Sequence, residues 1–210
     1  WGDSISLLAA ADVESGLVRY SVVAIDRANG ETRWERVAIE AAPHEGIHQT
    51  SARASASAVT DGSRVFASFG SYGVYAYTVD GDPLWDTDLG DMTTRNEFGE
   101  GASPALYGER LVVPWDHEGA SFIVALDAAT GAEVWRKDRD ERTSWNTPLV
   151  VEHDGRQQVI VNATNLVRSY DLADGSLIWE CSGMTANAIP SPVHADGTVY
   201  VMSGFRGSAL

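Results

Sequence analysis

His44-Glu45-Gly46-Ile47-His48 is the stretch of this 210-residue chain that spells a catalytic motif. It fits H-E-x-x-H, in which two histidines hold zinc and the glutamate activates a metal-bound water. That chemistry needs a helix, because helical spacing turns both imidazoles to one face. Pro43 precedes the stretch, Gly46 interrupts it, and no apolar helical face flanks it. The sequence therefore predicts a loop whose histidines bond locally and hold no metal. A second set of chemical groups lies between apolar runs: Arg95, Asn96, Glu97, Glu100, Arg142, Trp145, Asn146 and Asn187. Mixed charges with one aromatic suit recognition of a polar ligand or peptide better than a structural plug, which would be apolar and small. No nucleophile elbow, phosphate loop or cysteine cluster is present. Trp85-Asp86 and Trp115-Asp116 do not recur at a repeat spacing, and Asn162-Ala163-Thr164, a glycosylation-type triplet, falls in a predicted strand.

The elements that must position these residues come from an internal repeat. Val124-Ala125-Leu126-Asp127 is followed by Thr130-Gly131 and Trp135, and variants of this unit occur four times. Asp26, Gly30 and Trp34 form one copy, and Asp171, Gly175 and Trp179 another. The remaining copy keeps Gly81 and Trp85 but has Tyr77 at the aspartate position, four residues before the glycine. The tryptophans fall 51, 50 and 44 residues apart, a period typical of arrays and propellers. Each unit reads as a hairpin, two short apolar runs joined by a turn in which glycine supplies positive φ. The aspartate is placed to accept hydrogen bonds from the turn N–H groups. A tryptophan recurring once per unit is too large for one sheet to bury and is expected to dock on the next.

Upstream of each hairpin lies another pair of strands. Ser103-Pro104-Ala105-Leu106 and Arg110-Leu111-Val112-Val113 flank a turn, and the pattern returns at Thr147-Pro148-Leu149 and Ser191-Pro192-Val193. Four strands per period without helical periodicity predict an all-β propeller of four-stranded antiparallel blades. The blade units run about 1–39, 55–89 with Ser55 to Val59 as its first strand, 103–138 and 147–181, with a partial unit at 191–210, in one propeller spanning residues 1–210. The phase predicts a partial propeller within a longer protein: Trp1 falls at the turn after a first strand, and Ser208-Ala209-Leu210 reads as the opening of a third. Residues 40–56, 90–102, 139–146 and 182–190 are the crossings between blades, and blade geometry brings them to one mouth of the central channel.

The Ala-x-Asp-x-x-x-Gly-x-x-x-Trp pattern resembles the pyrroloquinoline quinone-type (quinoprotein-like, BamB-like) propeller repeat across essentially the whole chain. The resemblance implies seven or eight blades in the complete protein and an exported, periplasmic or otherwise extracytoplasmic location. In quinoproteins of this fold the cofactor lies between a tryptophan face and a disulfide of adjacent cysteines, with calcium held by acidic and amide groups. Cys181 is the sole cysteine, so no such disulfide forms within this sequence. Asn96, Glu97, Glu100, Asn146 and Asn187 could offer oxygen ligands and Trp145 a stacking face. The expected reading is a non-catalytic scaffold for a protein or peptide, with no cofactor. The alternative is an oxidoreductase using pyrroloquinoline quinone and calcium, its other ligands lying in further blades.

Composition narrows the partners. A formal charge of −15 repels a phosphate backbone, which argues against nucleic acid. No apolar run has the length of a membrane-spanning helix. At 44% apolar residues the chain can bury a sizeable core.

Overall fold

A computed structural model describes residues 2–203; the expectations for Trp1 and for Ser208 to Leu210 lie outside the described residues. Seventeen strands form five antiparallel sheets in which hydrogen-bonded neighbours follow chain order. The first sheet has β1 (Ser4–Asp12), β2 (Val18–Asp26) and β3 (Thr32–Ala41). The second has β4 (Val59–Thr60), β5 (Arg64–Ser68), β6 (Val74–Thr78) and β7 (Pro83–Thr87). The third has β8 (Ala105–Tyr107), β9 (Arg110–Trp115), β10 (Phe122–Asp127) and β11 (Glu133–Asp138). The fourth has β12 (Leu149–His153), β13 (Arg156–Val161), β14 (Val167–Asp171) and β15 (Leu177–Cys181), and β16 (Val193–Ala195) and β17 (Thr198–Tyr200) make the fifth. Helix among the described residues is confined to three single 3₁₀ turns. These sheets are the blades of part of a β-propeller. The first strands are innermost, with β8 lying against both β4 and β12.

The core is a series of slabs between consecutive blades. Val18, Tyr20 and Val22 of the first blade meet Val65, Ala67 and Tyr77 of the second. Phe66 and Ala76 meet Leu111, Val113 and Trp115 across the next interface, while Val112 and Ala125 face Val159 and Tyr170 beyond it. Because successive residues of a strand point to opposite faces, β9 is apolar from Leu111 onward: Leu111 and Val113 serve one interface and Val112 the other.

The repeat tryptophans tie these slabs together. In the first four blades the hairpin that ends the sheet carries a bulge just before the tryptophan, which pairs with a small residue: Ala24 with Trp34, Ala76 with Trp85, Ala125 with Trp135, Ser169 with Trp179. The extra residue re-aims the indole. Trp34, Trp85 and Trp135 then donate from Nε1 to carbonyls of the following blade, at Val79 (2.8 Å), Ala128 (3.0 Å) and Leu172 (2.9 Å). Trp179 donates instead to Gln158 of its own blade at 3.2 Å. Asp26, Asp127 and Asp171 cap their turns, accepting from the backbone N–H of Ala28, Ala129 and Ala173 at 2.8, 3.0 and 2.8 Å. Gly30, Gly131 and Gly175 each donate to the carbonyl of that aspartate at 2.8 Å.

Two sequence expectations are corrected. In the degenerate copy the residue equivalent to the aspartate is Thr78, not Tyr77. The turn is one residue shorter there, so Gly81 donates to the Thr78 carbonyl (3.0 Å) and the threonine hydroxyl accepts from the Asp82 N–H (3.0 Å). Tyr77, freed from the turn, is buried in the core. Ser55 to Val59, expected as a first strand, contributes only Val59 to a two-residue strand, because Ser55 and Ser57 bond within the crossing face rather than to β5.

Candidate functional site

Chain order fixes two ends for each blade. Crossings and the turns joining second to third strands share one face, while the first-to-second and third-to-fourth hairpin turns share the other. Contacts on the crossing face follow this rule. Glu45, from the first crossing, accepts from the Thr94 N–H (2.9 Å) and hydroxyl (2.6 Å) of the next. The Arg95 N–H donates to the Thr143 hydroxyl (2.9 Å), and Trp145 reaches both neighbours: its indole N–H donates to the Gly99 carbonyl (2.7 Å) and its backbone N–H to the Ala188 carbonyl (3.0 Å). Four crossings therefore interlock into one surface.

The eight residues singled out in the sequence divide by exposure. Asn96, Glu97 and Arg142 are exposed on this surface, and Arg95 is half-buried. Asn96 and Glu97 both have φ of 52°, a left-handed pair that turns the chain sharply beside Gly46. Trp145 is half-buried, its ring 6.3 Å from that of Phe98 and its edge close to Gly101. Glu100 is largely enclosed and accepts from the N–H (2.7 Å) and the hydroxyl of Ser71; burial pushes its pKa above the ordinary glutamate range. Asn146 and Asn187 are buried. Asn146 donates to the Ser144 hydroxyl at 3.2 Å and to the Asn162 carbonyl, and Asn187 has φ of 63°.

The two histidines of the H-E-x-x-H stretch diverge. His48 Nδ1 bonds the Thr50 hydroxyl at 2.8 Å, whereas His44 turns inward, with Nδ1 3.0 Å from the Tyr72 hydroxyl and Nε2 2.9 Å from the Met92 carbonyl. Glu45 is turned to Thr94 of the next crossing, which bonds both of its oxygens.

Sequence reasoning missed a buried ionic network beneath this face. Arg139 and Asp116 are fully enclosed and pair through two bonds of 2.7 and 3.0 Å. Arg139 also donates to the Tyr170 hydroxyl (2.7 Å), and Asp116 accepts from the Ser144 hydroxyl (2.9 Å). Beside it, Glu141 accepts from the Asn165 N–H (2.7 Å), the Leu166 N–H (3.1 Å) and Arg168 (2.7 Å), yet burial still pushes its pKa upward. The available signal was positional: Asp116 and Arg139 directly follow β9 and β11, which flank β10 and run the same way, so opposite charges are delivered to one end of the blade.

The profile of the family described as outer membrane protein assembly factor BamB matches residues 6–96 and again residues 70–209. The chain belongs to this BamB family. BamB from Moraxella catarrhalis superposes with a TM-score of 0.58 at 17% identity, covering 91% of this chain and 56% of that one. Quinohemoprotein alcohol dehydrogenase from Comamonas testosteroni gives 0.57 at 12% identity, over 96% and 41% of the two chains. That from Pseudomonas putida HK5 gives 0.52 at 12%, over 92% and 37%. The chain thus spans between about a third and just over half of these propellers, and at such identities they establish the fold. No curated protein matches the sequence. No helix among the described residues is long and apolar enough to cross a membrane.

The quinone implied by part of the fold family can be tested against the side chains. Trp145 has its N–H committed to Gly99 and lies against Phe98, and Asn146 is buried with its amide donating to neighbours. Cys181, on the outer strand β15, is exposed and without a second cysteine. The described residues do not fit a quinone cradle.

Proposed function

We propose that this chain is a non-catalytic propeller scaffold that engages a protein or extended peptide across its interlocked crossing face, outside the cytoplasm. The observation that carries the reading is the way Trp145 pins the 94–101 and 182–190 crossings to its own, which presents Asn96, Glu97 and Arg142 together on a fixed surface. A rigid platform with exposed charges of both signs matches a polar segment and limits the ordering cost of binding. The family's description as an outer-membrane protein assembly factor supports a protein partner and a periplasmic setting. The engaged state of Trp145 supports the scaffold over the oxidoreductase.

The test places a photo-crosslinking residue at Asn96 or Arg142 in the full-length protein, and for comparison at Asp154 in the opposite-face turn. Protein adducts from the first two positions and none from Asp154 are expected. Equal adduct formation from both faces, or a quinone absorbance band in the purified full-length protein, would overturn the reading.

A further inference from the structure

We propose that His44, Glu45 and Glu100 form a binding site for a divalent transition-metal cation, with zinc as the probe, which clamps the first blade crossing onto the second. The proposal is independent of the partner-binding reading. It also differs from the H-E-x-x-H pairing suggested by the sequence, since Glu100 takes the place of His48.

The donors converge. One imidazole nitrogen and one oxygen from each carboxylate lie within 4.8 Å of one another, and His44 Nε2 is 3.6 Å from Glu100 Oε1. Around a cation with bonds near 2.0–2.2 Å, donors stand about 3 to 4 Å apart, so little movement is required. The Met92 carbonyl lies 2.9 Å from Nε2 in the nitrogen's bonding direction, so the ring must leave it when a cation binds. Imidazole with carboxylates selects zinc-like cations over calcium, which takes oxygen alone.

The space and its remaining wall point the same way. A cavity of about 20 Å³, large enough for one ion or water, is lined by these three residues together with Tyr20, Tyr72 and Arg53. Tyr20 is fully buried, yet its hydroxyl has no hydrogen-bond partner. A tyrosine hydroxyl is a donor suited to a metal-bound water. A buried hydroxyl without a partner is unfavourable unless something occupies the cavity. Arg53 donates to the Glu45 backbone carbonyl at 3.2 Å.

Each ligand already has the outer partner that metal sites use to fix orientation. Thr94 holds Glu45 and Ser71 holds Glu100. Tyr72 holds His44 at Nδ1, and its hydroxyl can donate or accept. Without metal, Nε2 carries the ring proton toward Met92 and Nδ1 accepts from Tyr72. With metal on Nε2, the proton sits on Nδ1 and Tyr72 accepts.

The experiment is titration of metal-free chain with zinc chloride by calorimetry, with metal content measured after gel filtration. One zinc per chain and a raised melting temperature are expected. His44→Ala, Glu45→Gln and Glu100→Gln should each weaken binding by more than the roughly 10–100-fold typical of losing an outer partner, and Tyr20→Phe by about tenfold. His48→Ala should bind as the parent does. If a variant fails to fold, imidazole NMR of the parent decides: zinc must shift the His44 signals and leave those of His48. Absence of stoichiometric zinc, retention of full affinity by Glu100→Gln, loss in His48→Ala, or preference for calcium would overturn the proposal.

Discussion

The indole of Trp135 lies directly on Gly175 of the following blade: a Cβ added to the glycine would stand 2.6 Å from Trp135 Cε3. Trp85 bears the same relation to Gly131, at 2.6 Å, and Trp34 to Gly81, at 2.8 Å. The glycine thus answers two demands, positive φ in its own turn and close approach of the previous blade's indole.

Gly175→Ala should therefore cost about 2–4 kcal/mol, the sum of a left-handed backbone penalty and an overpacked contact. Gly155, with nearly the same φ (73°, against 71° at Gly175) but open space around it, isolates the backbone part, and Gly155→Ala should cost about 1–2 kcal/mol. Urea unfolding of both variants measures the difference, and equal costs would show that the indole gives way freely. Trp135→Ala, which empties the interface and orphans the Leu172 carbonyl, should cost about 3–5 kcal/mol.

The repeat was legible because each of its residues answers a local or nearest-neighbour need. Aspartate caps, glycine turns and tryptophan bridges, so the pattern can be read from one sequence. The Tyr77 and Thr78 exchange was not legible, because a turn shortened by one residue shifts the alignment, and only strand pairing locates the cap. His44 and His48 illustrate the harder limit. Sequence spacing brought them together, whereas docking of separate crossings sets Glu100 beside His44 and sends His48 to Thr50. Such contacts depend on how loops from different blades meet, which no periodicity encodes.

The Arg139–Asp116 pair should behave as a buried charge pair. Arg139→Met leaves the Asp116 carboxylate enclosed without its partner and should cost about 3–5 kcal/mol. Adding Asp116→Leu removes the stranded charge and should recover much of the loss, although the Ser144 hydroxyl then loses its acceptor and the Tyr170 hydroxyl its donor. A double-mutant cycle by chemical denaturation gives the coupling, and a double variant no better than the single one would mean that the network's hydroxyls matter more than its charges.

Glu100 makes a prediction about pH. Its folded pKa is raised by burial, so the native state holds the proton more tightly than the unfolded chain. The sign follows: its favourable contribution is complete below the unfolded glutamate pKa of about 4.3 and is lost as pH rises through the folded value. Comparing parent with Glu100→Gln, the stability difference should move in favour of the variant as pH climbs from about 4 through that value. A difference independent of pH across that window would place the carboxylate in an environment no less polar than water. Zinc at the proposed site should reverse the trend, since the cation favours the ionised form.

Arg142 and Trp145 separate recognition from architecture on the crossing face. Arg142 is exposed and makes no hydrogen bond or ion pair among the described residues, so Arg142→Glu should change stability by less than about 0.5 kcal/mol. With a crosslinker at Asn96 in the same full-length molecule, that reversal of charge should cut adduct yield several-fold if the partner presents a carboxylate to the guanidinium. Trp145→Ala removes both the pin to Gly99 and the contact with Phe98, and should lower adduct yield and melting temperature together. Hydrogen exchange reads the cause: amides of residues 94–101 should open faster in Trp145→Ala and stay unchanged in Arg142→Glu. Should Trp145→Ala abolish adducts while those amides keep their protection, the indole itself would be the contact, and the ring face not covered by Phe98 would be where the partner sits.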